Sequence, residues 1–302
     1  MDSNIVDISI IIPTLNRKDI LTTTLNSLAE QSLQPSEIII IDGSAIFERL
    51  ARNNFPSLKS EIIHESAFAL GAARQRNQGI GLASTKIIGF LDDDIILEQN
   101  CIANLWEGLR KNPRCGGINA IITNQSYHPL GPISKTFYKL IGANTSISLA
   151  GRCIGPVINF LPALNHHDHF IPVDWLNTTC TLYRKEALPQ PVFDEHFTGY
   201  SLMEDLALSL RVAQNWQLLT ANNARIYHDS QPSEGKNNLF LNAEMDLVNR
   251  FYIMKYILNK TSLKDYSQLL LQQLFAGIAS KKILSRNYIK GKISALKKIK
   301  SI

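Results

Sequence analysis

Along the first 122 residues, short runs of branched aliphatic residues alternate with longer stretches in which apolar residues recur every three or four positions. Residues 8–12 and 38–41 are almost wholly β-branched and apolar, as strands covered on both faces require. Between them, Leu21, Leu25 and Leu28 fall at i, i+4 and i+7, which predicts a helix over 20–31 with one face turned inward. The alternation continues with a strand at 62–63, a helix over 71–83, a strand over 87–91, a helix over 100–111 and a strand over 117–122. Strands and helices alternating in this way predict a doubly wound α/β layer structure with a mostly parallel sheet.

The pattern weakens from 123 to 172, where five prolines and scattered glycines predict a variable insertion with one helix near 133–141. Regular structure returns at 177–183, 204–213, 217–220 and 225–228, and residues 236–302 read as helical throughout. No internal repeat is visible. The longest later apolar stretch, 147–164, is interrupted by Arg152, Pro156 and Pro162, so no membrane span is expected. The N-terminus has neither the charged start nor the apolar core of a signal peptide.

Composition is ordinary for a globular chain of 302 residues: 45% hydrophobic, 19% charged, mean hydropathy −0.05. Charge changes the picture. No acidic residue follows Asp265, whereas eight basic ones do, so residues 1–265 carry 23 basic and 26 acidic groups and the net +5 belongs to the tail. A nucleic-acid partner is therefore not expected, since no basic stripe runs through the body. Cys101, Cys115, Cys153 and Cys180 show no ligand-like spacing and read as buried free thiols, which suits a reducing compartment.

Asp92, Asp93 and Asp94 follow the apolar strand at its C-terminal end, the edge where open α/β sheets bind ligands. Three adjacent carboxylates repel one another, and a hard divalent cation is the physical reason to cluster them. Asp92 and Asp94, at i and i+2 of an extended segment, share a face, with Asp93 on the other. A solvated acidic turn is the plainer alternative, disfavoured by the strand-end position.

Four stretches in this order and spacing, Ile10-Ile11-Ile12-Pro13-Thr14-Leu15-Asn16-Arg17, Asp42-Gly43-Ser44 after the second strand, Gly71-Ala72-Ala73-Arg74-Gln75-Arg76-Asn77-Gln78-Gly79-Ile80, and Phe90-Leu91-Asp92-Asp93-Asp94, resemble glycosyltransferase family 2 with its GT-A fold. The likeness covers residues 8–122 and resumes over 172–228. It implies a GT-A catalytic domain over 1–235, with a nucleotide-sugar-binding half (8–122), the insertion (123–172) and an acceptor or catalytic half (173–235), followed by a helical basic extension over 236–302.

That resemblance implies roles residue by residue. Pro13, Thr14, Asn16 and Arg17 would receive the nucleotide of a nucleoside-diphosphate sugar, and Asp42 would bond the base, although Asp-Gly-Ser is also a common turn. Arg76 and Asn77 would meet the nucleotide or diphosphate, together with Asp92 and Asp93. Asp94 and Asp92 would hold Mn2+ or Mg2+, and His228, ending a strand, would complete that shell; a lone structural histidine is its alternative. Asp205 would be the base that takes the acceptor proton, with Glu204 beside it, and the sequence leaves these two interchangeable. Helix-start acids complementing the dipole are the bland reading of both. Asp174 and Trp175 would lie on the acceptor side.

His166, His167, Asp168 and His169 are adjacent and cannot easily converge on one ion, so no second metal site is expected. Ile289, Ile293, Leu296 and Ile299 lie at helical spacing among lysines, the form of an interfacial helix over 281–302 on an anionic membrane; packing on the catalytic domain is its alternative. The reading is a metal-dependent inverting transferase acting on a saccharide or lipid-linked acceptor in bacterial surface-polysaccharide or glycolipid assembly, cytoplasmic or peripheral on the inner membrane face. A catalytically silent membrane-associated scaffold and a sugar-phosphate nucleotidyltransferase are the rivals. The second would need a Gly-rich, lysine-bearing loop where Thr14-Leu15-Asn16-Arg17 stands, and a dinucleotide oxidoreductase would need a Gly-rich loop there too.

Overall fold

The computed structural model describes residues 4–164, 167–231 and 237–301. They form two compact units, one drawn from Met1–Tyr127 and Leu161–Gln231, the other from His128–Phe160 and Pro232–Ile302.

The first unit is built on a nine-stranded sheet. Strands β1 (Ile5–Thr14), β2 (Gln34–Asp42), β3 (Glu61–Ser66) and β4 (Ile87–Leu91) pair in parallel in the order β3-β2-β1-β4, connected by helices α1 (Lys18–Ala29) and α2 (Ala72–Leu82). Beyond β4 come β10 (Cys180–Arg184), antiparallel to both neighbours, then β6 (Cys115–Ile122), and then β11 (Gln217–His228), parallel to β6. The mostly parallel α/β sheet flanked by helices is thus as expected. Helix α1 buries Leu21, Leu25 and Leu28, the stripe read from the sequence, against the isoleucines of β1 and β2 in one apolar core.

Three strand details differ from the sequence reading. Residues 217–228 form one strand, not two, because a register shift between Ala221 and Arg225 absorbs the polar Asn222-Asn223 interruption. Two short strands were not expected: β5 (Ile95–Leu97) and β9 (Phe170–Val173), both antiparallel to β11. At three and four residues, their apolar periodicity is too brief to register. Helix α3 (Cys101–Lys111) follows β5, and α5 (Glu204–Val212) precedes β11.

The second unit contains α4 (Pro132–Leu140), the small hairpin of β7 (Cys153–Ile154) and β8 (Ile158–Asn159), and three C-terminal helices: α6 (Leu239–Tyr252), α7 (Leu263–Ala279) and α8 (Arg286–Ile299). Ser262 and Asp265 form a reciprocal cap at the start of α7, satisfying amides that a helix start leaves open. Helix α8 lies against α6 through Gly291, where a Cβ would sit 2.4 Å from the Phe240 carbonyl oxygen; only glycine permits that approach. Lys298 pairs with Glu244 at 2.5 Å, and Asp246 is shared by Arg250 at 2.8 Å and Lys292 at 2.9 Å. Tyr288, Gly291 and Ala295 are buried, whereas Ile289, Ile293 and Leu296 of the predicted interfacial stripe stay open. No helix among the described residues is long and apolar enough to cross a membrane.

Candidate active site

The site grows from the C-terminal ends of β1, β2 and β4. Pairing of β1 with β2 sets Pro13 opposite Ile41 and Thr14 opposite Asp42, so the Pro13 turn and the Asp42 turn leave the sheet side by side. Gln75, buried on α2, joins them: its amide nitrogen donates to the carbonyls of Thr14 at 2.9 Å and Ile41 at 2.8 Å. Asn16 turns the chain in the left-handed region (φ 55°) and donates its N–H to Ser44 Oγ at 2.7 Å, while the Ser44 hydroxyl donates to Asp42 at 2.5 Å. The other Asp42 oxygen faces the His64 imidazole at 3.5 Å. Burial holds the His64 pKa below its ordinary value, with Asp42 opposing.

After β4 the chain turns at Asp93 and Asp94, and this turn, not the two-residue period of a strand, sets where the three aspartates point. Asp93 is buried and accepts from the Thr14 hydroxyl at 2.7 Å and from Arg17 at 3.1 Å. It therefore ties the Pro13 turn to the acidic loop. Burial pushes its pKa up to about 6 against the pull of Thr14 and Arg17. The Thr24 hydroxyl on α1 lies 2.8 Å from both the Asp93 and the Ile95 carbonyl oxygens, which share its one proton, and accepts the Ile95 N–H at 3.1 Å, fixing the backbone of the loop.

Asp92, Asp94 and His228 come together from the acidic loop and the end of β11: one ligand atom from each lies within 4.8 Å of the others. Among the described residues this is the metal-capable group. His228 Nε2 is 3.0 Å from one Asp94 oxygen, and the other accepts from Gln231 N–H at 3.2 Å and Arg17 at 3.3 Å. Gln125 sits 3.2 Å from His228 Nδ1 and sets the ring's orientation as an outer partner does at metal centres. Two carboxylates and an imidazole suit Mn2+ or Mg2+, the imidazole favouring the former.

Arg76 connects this group to the start of α5. Its guanidinium, almost wholly buried, reaches Asp92 at 2.8 Å and Glu204 at 2.6 Å, and these acids raise its pKa even though burial acts the other way. Burial pushes Glu204 up to about 8, with Arg76 opposing. Asp205 beside it is half-buried, and desolvation lifts it to about 6 while the Leu206 N–H, accepted at 2.7 Å, lowers it. The loop before α5 is strained: Ser201 and Met203 have φ of 54° and 76°, costly for residues with a Cβ. Gly71 and Gly199 make an isolated bridge, and a Cβ on Gly71 would sit 3.3 Å from the Gly199 backbone.

Some sequence-derived candidates stand elsewhere. Asn77 is engaged with the main chain of Phe193, donating to its carbonyl at 2.7 Å and accepting its N–H at 2.9 Å. The Phe193 ring lies 5.6 Å from the Arg76 guanidinium, so Asn77 holds in place a residue that packs on Arg76. Adjacent helical residues point about 100° apart, so Arg76 and Asn77 could not share one target. Trp175 is 7% exposed, leaving little indole surface for a saccharide, and Asp174 is the more open of the two. Leu176 after them is anchored to Ser209 on α5 at 2.9 Å. His167, Asp168 and His169 are exposed and outside the metal-capable group; His166 lies outside the described residues. Gln75, Ser44, Thr24 and Gln125 were not singled out in the sequence, because a lone amide or hydroxyl carries no spacing signal.

Residues 9–160 match the family described as "Glycosyl transferase family 2". An uncharacterized glycosyltransferase of Rickettsia conorii is 25% identical over 310 residues, covering 97% of this chain and 44% of that protein. A poly-beta-1,6-N-acetyl-D-glucosamine synthase of Staphylococcus epidermidis is 32% identical over 155 residues, 48% of this chain and 36% of the relative. The chain thus spans less than half the length of these relatives. Among solved structures, S. aureus TarS 1-349 in complex with UDP-GlcNAc superposes with a TM-score of 0.60 at 15% identity, covering 97% of this chain and 80% of that one. A mannosyltransferase from Pyrobaculum calidifontis, in complex with GDP-Man and Mn2+, gives 0.55 at 17% identity, covering 97% and 86%. These two likenesses speak to the fold.

Proposed function

Because this chain belongs to glycosyl transferase family 2, we propose that it is a metal-dependent inverting glycosyltransferase, moving a sugar from a nucleoside-diphosphate sugar to a hydroxyl acceptor. The observation that carries this reading is the meeting of Asp92, Asp94 and His228 within 4.8 Å, with Arg76 joining Asp92 to the Glu204-Asp205 pair. Those three side chains would hold a Mn2+ or Mg2+ ion, which would supply positive charge to offset that of a departing diphosphate.

The chain's own residues do the rest. The Pro13 and Asp42 turns, clamped by Gln75, form the platform for the nucleotide, and Asn16, Arg17 and Asp42 are its polar groups. Arg17 bonds Asp93 and Asp94, so it stands where a diphosphate would meet the acids. Asp205, with a pKa near 6, is ionised at neutral pH and suits the base that accepts the acceptor proton. Glu204 is held by Arg76 and has the higher pKa, which supports a positioning role. Relatives named for amylovoran biosynthesis and for poly-beta-1,6-N-acetyl-D-glucosamine synthesis support a place in bacterial surface-polysaccharide or glycolipid assembly. The acceptor would then be a saccharide or lipid-linked, handled at the cytoplasmic side, with an anionic membrane surface as the second partner of the basic C-terminal helices.

The test is a panel of uridine, thymidine and guanosine diphosphate sugars screened for Mn2+-dependent thermal stabilisation and for transfer. A ligand that binds the native form raises its melting temperature by mass action. One donor should stabilise the protein with Mn2+ and lose that effect in Asp94→Ala. Full stabilisation without a divalent cation overturns the metal role, and equal, negligible turnover in the parent and Asp205→Ala would identify a silent scaffold.

A further inference from the structure

Helix α7 buries Leu269 but turns its other leucines outward. A helix of a water-soluble unit normally turns its apolar stripe inward and its polar residues to solvent. In α7, Gln272 and Gln273 are each 6% exposed, whereas Leu270, Leu271, Leu274 and Ile278 are 49, 50, 51 and 56% exposed, and Leu263 at the helix start is 86% exposed. The buried glutamines are not orphans. Gln273 donates its amide to Gln272 Oε1 at 2.7 Å, and Lys292 of α8 donates to Gln273 Oε1. The inward polar face is therefore built, and the outward leucine face, about 22 Å long at 1.5 Å per residue, is a surface in want of an apolar neighbour.

Helix α4 extends this face. Phe137 stacks on Phe275 of α7, ring centroids 3.9 Å apart and planes within 5°, and Gln268 of α7 donates to the Ile141 carbonyl at 3.0 Å. Between the two helices runs an open apolar groove lined by Pro132, Ile133, Thr136, Phe137, Leu140 and Phe275. Ile133 and Leu140 at its edge are largely exposed. A contiguous exposed apolar area of this kind marks a contact surface.

Charge identifies the occupant. The segments of this unit carry 16 basic residues against 4 acidic ones. Glu244 and Asp246 are in ion pairs with lysine or arginine, and Asp265 is held by the Ser262 cap. Exposed lysines stand at both ends of the leucine face, Lys264 at its start and Lys281 and Lys282 just past its end, and Lys135 and Lys139 lie exposed on α4. A second copy of this chain would set one strongly positive surface against another, which like-charge repulsion opposes. A nucleic acid would satisfy the lysines and leave the leucines in water. Leucines for hydrocarbon with lysines reaching to anionic headgroups are what a lipid interface takes up.

We infer that the second unit docks on an anionic phospholipid bilayer through the leucine face of α7 and the α4 groove. This rests on the membrane contact in the proposed function and moves its inserting face from 281–302 to α7. Helix α8 supplies positive charge while one of its faces is held on α6 at Gly291.

The experiment is co-sedimentation of the full chain with vesicles of phosphatidylcholine alone or mixed with phosphatidylglycerol. Binding to the mixed vesicles should exceed binding to neutral ones by about tenfold or more. Leu270→Ser with Leu274→Ser should lower it by about tenfold or more, and Lys281→Gln with Lys282→Gln severalfold, the latter only at low salt. The volume-preserving pair Leu270→Met and Leu274→Met should keep binding, separating insertion from misfolding. The proposal is overturned if the serine pair sediments like the parent, if the parent stays off mixed vesicles, if it binds nucleic acid but not lipid, or if the serine pair dissolves a dimer without changing lipid binding. Donor-dependent stabilisation with Mn2+ on the same proteins keeps the two readings apart. The serine pair should retain it, Asp94→Ala should lose it yet sediment normally, and failure of either readout leaves the other standing.

Discussion

In the first unit, acidic residues outnumber basic ones 22 to 15, and four of its buried charged residues, Arg76, Asp93, Asp94 and Glu204, gather at one rim of the sheet. In the second, 16 basic residues face 4 acidic ones, and most of the charge is left on the outside. The first unit hides its polar chemistry among strand ends and shows an ordinary amphipathic helix in α1; the second buries glutamines and shows leucines. Charge brought together inside a fold can act on a bound molecule, because low dielectric strengthens each contact. Charge spread over a surface acts at longer range on another surface. The two halves of the chain are therefore suited to different partners.

The comparison can be broken from either side. The largest effect is expected from Asp94→Ala, which should lower transfer about a thousandfold by removing a ligand of the proposed divalent cation while leaving the melting of the helical unit unchanged. Loss of both would mean the units are not separable. Asp246→Ala is the reciprocal test. It removes the carboxylate shared by Arg250 and Lys292 and should destabilise the second unit by about 2 kcal/mol, less than a fully buried pair because these groups keep some solvent. Since Trp106, Trp175 and Trp216 all lie in the first unit, circular dichroism should show this loss while tryptophan fluorescence follows the sheet alone. Burial opposes the charged form of Asp246, but Arg250 and Lys292 overcome it and hold the pKa below the ordinary carboxylate range. The stabilisation is therefore complete above the unfolded value of about 4 and is lost as the pH falls below it.

A smaller effect sharpens the active-site half. If Asp205, at about 6, accepts the proton, the transfer rate should rise with pH through that value and fall about tenfold per unit below it. A flat acid limb would hand the task to another group. The smallest is Gln75→Ala, which removes one hydrogen bond from each of the Thr14 and Ile41 carbonyls, the former still accepting the Gly43 N–H, and should raise the donor KM about fivefold with little change in kcat; steady-state kinetics over donor concentration would show the split.

How much of this was legible in the chain depends on the reach of each signal. The parallel strands and α1 were readable because their apolar runs are local and periodic. The acids at 92 and 94 were readable because they end such a run. Arg76 stood in a recognisable stretch, but nothing local says that its guanidinium spans 128 positions to Glu204. The tie of Asn77 to the main chain of Phe193, 116 positions away, was illegible for the same reason. In α7 the sequence reading gave only a helix, since periodicity does not say which face goes inward, and the lysine-rich tail drew attention to α8 instead. Gly291 and Ala295, the small residues that let α8 close on α6, carry no hydrophobic signal at all.

Gln75 illustrates how one side chain can set the shape of a site it does not line. One nitrogen directs both of its protons at carbonyl oxygens of neighbouring strands, 2.9 and 2.8 Å away. Asparagine falls a methylene short, glutamate turns lone pairs toward lone pairs, and lysine brings a full charge into a space that excludes water. A library of variants selected for tight donor binding should favour glutamine at position 75, even though no atom of that side chain need ever touch a sugar.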